Sequence, residues 1–165
     1  MKRWPVDKLQ LSPYFTLNEF IRSKTAQAKG IKNEPDALQI ERMRWLCVFL
    51  LEPIRHQFGP LYITSGYRCP ALNQAVGGAR NSYHQYLEDH AAADFQVRGK
   101  ALEEVFNWIL TSSLRFDKLI LERGREDRHE FDDCIHIQFE KQPRRIAMLG
   151  PTHGQGSYQV VTAQA

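Results

Sequence analysis

The way hydrophobic periodicity changes along the chain restricts its fold more than any other feature. From Pro35 and Asp36 to about Phe58, apolar residues recur at helical spacing, with Leu38, Trp45, Phe49 and Ile54 near one side and Leu46 and Leu50 beside them. Four short β-forming runs follow: "LYITSGY", "AADFQV", "FDKLILE" and "CIHIQFE". An amphipathic helical pattern, "KALEEVFNWILTSS", separates the second from the third and presents Leu102, Val105, Phe106 and Ile109 on one face. Helices early and strands late predict an α+β fold, a small and mostly antiparallel sheet with helices packed on it.

Local signals set the boundaries. Thr16-Leu17-Asn18-Glu19 is a capping box, so a short helix starts at Leu17. Pro53 interrupts or kinks the long helix, and Gly59-Pro60 ends it. "CPALNQAVGG" is a short helix with Pro70 in its first turn and Gly77 at its C-terminal end. At 165 residues one domain is expected, over 1–150, with 151–165 as a loose tail.

Composition narrows the function classes. A formal charge of +3 gives no case for nucleic acid, though an anionic polymer such as a cell wall is compatible with it. No apolar run reaches the roughly 18 residues of a membrane span. "MKRWPVDKLQ" lacks an apolar segment after its basic residues, so cytoplasmic synthesis without a signal peptide is expected. Cys47, Cys69 and Cys134 are odd in number and show no CxxC spacing, which argues against a disulfide framework and a thiolate zinc site.

The chemistry concentrates in two stretches. "NSYHQYLEDHAAADF" sets His84, His90 and Asp94 ahead of, or inside, a strand. In "DDCIHIQFE", period two puts His136 on the opposite face from Ile135 and Ile137. Asp133 stands three residues earlier, at the strand's mouth. Taken singly, each has a plain structural explanation, as a strand histidine or a turn aspartate. Together they offer what a zinc hydrolase needs: about three nitrogen or oxygen ligands, an open position for water, and a nearby carboxylate. Arg68, in "TSGYR" just after a strand, could grip a substrate carboxylate by a bidentate pair.

With these residues in place the sequence resembles the zinc D,D-peptidase family of the Hedgehog/DD-peptidase fold, in particular its small phage and prophage-like members. The resemblance runs from about Tyr14 to Phe139, through "YFTLNEFIRSKTA", "ITSGYRCPALNQAVGGARNSYH", "AADF", "FDKLILE" and "IHIQF". It implies a zinc metallopeptidase acting on peptidoglycan stem or cross-link peptides, of D-Ala-D-Ala carboxypeptidase or endopeptidase type. It implies His84, Asp94 and His136 as Zn2+ ligands and Asp133 as the catalytic carboxylate. Arg68 and Ser82 fall on the substrate side. A monomer is expected, released to the wall by a route other than a signal peptide.

One departure bears on the site. The family pattern S-x-H-x-x-G-x-A-x-D sets histidine and aspartate seven positions apart; here His84 and Asp94 are ten apart and the glycine is missing. Three accounts follow: Tyr86 to His90 bulge outward with His84 still a ligand, His90 replaces it, or the site is lost. The last would leave a non-catalytic module that holds cell-wall peptide. Two further residues are placed by position. Cys134 shares the face of His136 and either meets the metal or is a small buried residue. Glu122, ending "FDKLILE", is either a carboxylate steadying His136 or Arg68, or a surface residue at a strand end.

Overall fold

The computed structural model describes residues 8–123, 133–151 and 157–162. A small antiparallel pair opens the chain, β1 (Gln10–Ser12) with β2 (Phe15–Thr16). Helix α1 (Leu17–Ile21) follows at the expected capping box, where Glu19 accepts from the Thr16 backbone N–H at 2.7 Å. Helix α2 (Lys24–Lys29) ends on Gly30 in the left-handed conformation.

The long helical stretch has three parts: α3 (Ala37–Leu46), a π-helical turn (Cys47–Leu51) and α4 (Glu52–Phe58). Asp36 and Gln39 form a reciprocal cap at its start. Pro53 has no N–H to give to the preceding turn, and the widened π turn directly before α4 absorbs the break. The buried face matches the expected one in part, at Leu46, Leu50 and Ile54. Met43, Leu46, Cys47, Leu50, Leu51 and Ile54 are inside, whereas Leu38 and Phe49 are exposed.

The main sheet has six strands in the order β3 (Leu61–Ser65), β4 (Ala91–Val97), β6 (Cys134–Phe139), β5 (Lys118–Arg123), β7 (Ile146–Pro151), β8 (Gln159–Val161). All pairs are antiparallel except β5 with β7. Helix α5 (Pro70–Ala75) and the amphipathic α6 (Leu102–Thr111) complete the α+β architecture. Val105, Phe106 and Ile109 of α6 join Phe95, Leu119, Leu121, Ile135 and Ile137 in one core. The isoleucines of β6 thus face the core and leave the other face for His136. β8 lies within the stretch expected to be a loose tail; there, residues 159–161 extend the sheet by pairing with β7. Among the described residues no helix is long and apolar enough to cross a membrane.

Candidate metal centre

Strand register builds half the site. Asp94 of β4 and His136 of β6 are direct cross-strand partners, so their side chains stand side by side on one face. His136 Nδ1 lies 2.7 Å from Asp94 Oδ1. Both residues are buried.

The third member arrives on a short 3-10 turn, Tyr83–Gln85. Ser82 caps this turn, its Oγ accepting from the His84 N–H at 3.3 Å. The loop after β3 holds the turn in place: the Arg68 N–H donates to the His84 carbonyl at 2.8 Å. Gly66 can enter here because it lacks a side chain; a Cβ would sit 2.6 Å from the Phe20 carbonyl oxygen. Its own carbonyl oxygen is 2.7 Å from His84 Nδ1. A carbonyl only accepts, so Nδ1 carries the proton and Nε2 keeps its lone pair. That Nε2 lies 3.4 Å from Asp94 Oδ1 and 3.4 Å from His136 Nδ1.

One donor atom each from His84, Asp94 and His136 therefore falls within a 4.8 Å group, all three residues being buried. Burial, reinforced by the Arg68 charge, lowers the His84 pKa and keeps its imidazole neutral, the form that binds a metal. Burial alone would raise the Asp94 pKa, but the imidazoles of His84 and His136 outweigh it and hold the carboxyl well below its usual range.

Other sequence-predicted residues take distinct places. His90 is outside the group: it stacks flat on Tyr83 with ring centroids 4.0 Å apart, and its Nε2 is 3.8 Å from Glu140. Arg68 is pinned beside the site, with Nη2 3.3 Å from Asp94 Oδ2 and both Nε and Nη2 donating to Ser65 Oγ. Among the described residues its Nη1 has no hydrogen-bond partner. Asp133 stands just ahead of β6, its carboxylate 3.6 Å from Arg123 and its carbonyl accepting from Gln96. Glu122 is buried opposite Cys134, whose thiol donates to it at 3.9 Å. Burial, then the carboxylates of Asp94, Glu122 and Asp133, push the Cys134 thiol far up, so it is a neutral buried thiol. Asp132, the turn neighbour of Asp133 in "DDCIHIQFE", and His129 and His153, which have no partner at ligand spacing in the sequence, lie outside the described residues.

The extra loop residues do not all bulge outward. Tyr86, with φ 53°, turns its ring inward to full burial, and its hydroxyl donates to the Ala92 carbonyl at 2.8 Å. Only the segment beyond it, with Leu87 half exposed and Glu88 also at positive φ, leaves the surface. Burying a large aromatic is the stronger term here, and it explains why the excursion starts one residue later than expected.

Two residues near the site were not anticipated. Gln138 lies on the face of His136, with Nε2 2.9 Å from His136 Nε2; its two-residue spacing was a usable signal. Tyr158 packs its ring over Gly150, the β7 partner of Glu122. Burial and then the charges of Glu122 and Asp94 raise its hydroxyl pKa, which sets it in the field of the site. Nothing in the unpatterned end of the sequence pointed to it.

Comparison with known families agrees with this geometry. The family described as Peptidase M15 matches residues 13–138. The chain belongs to the peptidase M15 family, and all three members of the buried His-Asp-His group lie inside the match. No curated protein matches the chain at a significant level.

Proposed function

We propose that the protein is a zinc-dependent peptidase that hydrolyses peptide bonds in peptidoglycan stem or cross-link peptides. The observation that carries this is the buried donor set. Two imidazoles and a carboxylate converge, and the Gly66 carbonyl aims the His84 lone pair into the group. Such a set suits zinc with a position left for water. His84 Nε2, Asp94 and His136 Nδ1 would hold the ion. Bound zinc supplies Lewis acidity toward a water and a scissile carbonyl.

The chain's own residues supply the rest. Asp133, at the mouth of β6, accepts the proton of the attacking water and returns it to the leaving amine. Arg68 orients the substrate through a peptide carboxylate, using the donors that Ser65 and Asp94 do not engage. Its guanidinium also lies against that ligand, with Nη2 3.3 Å from Asp94 Oδ2. The group comes from one chain, which is consistent with action as a monomer. The rival reading, a non-catalytic module holding cell-wall peptide, rested on the lengthened loop. That loop keeps His84 beside Asp94 and so no longer favours it.

The test is digestion of purified peptidoglycan, with mass analysis of the released peptides. New amine ends in stem or bridge peptides are expected, lost on chelation and restored by zinc. An undigested wall with zinc bound would leave the binding module.

A further inference from the structure

We infer that Gln138 is a positioning residue for His136, whose amide can turn to accept from Nε2–H and so support the ring tautomer that binds a metal through Nδ1; the inference rests on the metal reading above. The problem it solves is chemical. His136 points Nδ1 into the donor group, 2.7 Å from Asp94 Oδ1 and 3.4 Å from His84 Nε2. To ligate there, Nδ1 must give up its proton and the ring must carry its hydrogen on Nε2. A buried Nε2–H needs an acceptor. Among the described residues, the one side chain at hydrogen-bond distance from Nε2 is Gln138, at 2.9 Å.

As it stands, Gln138 turns its amide nitrogen to the ring, so Nε2 accepts and Nδ1–H donates to Asp94. This is one of two matched arrangements. A half-turn of the amide puts Oε1 against the ring, where it accepts from Nε2–H and frees the Nδ1 lone pair. The decisive feature is what the other end of the amide touches. Gln138 Oε1 is buried and, among the described residues, has no hydrogen-bond partner. No second contact from those residues fixes which amide atom faces the imidazole, so the amide follows the ring. The backbone meanwhile cannot drift: Gln138 pairs with Ala92 across β4, and its carbonyl accepts from the Asp117 N–H at 2.8 Å. An amide serves where a hydrocarbon cannot, because it can donate to one tautomer and accept from the other. Only the accepting role belongs to the metal-bound state.

The experiment compares zinc affinity, by chelator competition, in wild type, Gln138→Leu and Gln138→Glu. Near-ultraviolet circular dichroism of each metal-free protein reports folding. The leucine should weaken zinc binding by about 10- to 100-fold, the usual effect of losing the partner of a ligand histidine. The glutamate, a permanent acceptor, should bind within about threefold of wild type or tighter, a rescue that simple packing does not provide. Equal affinity in wild type and leucine variant would overturn the inference, and so would a glutamate variant as weak as the leucine one. Nitrogen-proton NMR of the wild-type ring decides the matter even if a variant fails to fold. Zinc-loaded protein should show His136 protonated at Nε2 and metallated at Nδ1, and the reverse would contradict the inference. A wild type that binds no zinc would bring down the metal reading and this inference together, whereas zinc bound with unchanged affinity in the leucine variant removes this inference alone.

Discussion

Tyr86 ties the turn that carries His84 to the strand that carries Asp94: its hydroxyl donates to the Ala92 carbonyl at 2.8 Å from a fully buried ring. The lengthened segment is thus pinned at its base. The left-handed backbone at Tyr86, unusual for an aromatic residue, is held by this packing. Tyr86→Phe should cost about 1 kcal/mol of stability by losing one buried hydrogen bond, and Tyr86→Ala about 3–5 kcal/mol by emptying the site. Urea unfolding measures both. A tyrosine tolerant of alanine would mean that the ring does not anchor the segment.

His84 and His90 should separate cleanly. His84→Ala removes a donor from the buried group and should abolish tight zinc binding. His90→Ala only unstacks Tyr83 and should leave it intact. Zinc lost with His90 and kept without His84 would reassign the ligand.

For Asp133, the expected outcome of Asp133→Asn is zinc retained and hydrolysis slowed by about a hundredfold or more, the scale of general-base catalysis. Activity within a few-fold of wild type would shift the role to another carboxylate such as Glu122.

Stability of the metal-free protein should depend on pH with a definite sign. Burial holds the His84 pKa below its ordinary 6.5. In the window beneath 6.5 the unfolded chain binds a proton that the folded protein refuses, so stability rises with pH there and falls on acidification. Asp94 adds the same sign lower down: its folded pKa is below 3.8, and its contribution is lost as pH falls through that lower value. The denaturation midpoint of wild type should drop between pH 7 and 5 by more than that of His84→Gln. Parallel curves would argue against a buried neutral imidazole.

What could be read in advance was whatever depends on near neighbours in sequence. The Thr16–Glu19 capping box, Pro70 at the start of α5, and the alternation that turns His136 away from Ile135 and Ile137 are local rules, and the fold obeys them. Features set by distant partners were not legible. Leu38 and Phe49 fit the apolar helical stripe of the sequence yet are exposed. Tyr86 sits in a polar run yet is wholly buried. Arg68 was read as a grip for a substrate carboxylate, but its contact with Asp94, 26 positions away, was not foreseen. The Gly66 carbonyl that orients His84 is a backbone atom, and no side-chain motif announces it.

The metal content of purified protein after exhaustive dialysis, wild type against His136→Ala, tests the central claim most directly. His136 ties the two-strand part of the site to the His84 turn, through 2.7 Å to Asp94 and 3.4 Å to His84. Close to one zinc per chain is expected in wild type and almost none in the variant, with the fold of both retained by circular dichroism. A wild type without zinc, or a variant that keeps it, would contradict the assignment of His84, Asp94 and His136 as the metal centre.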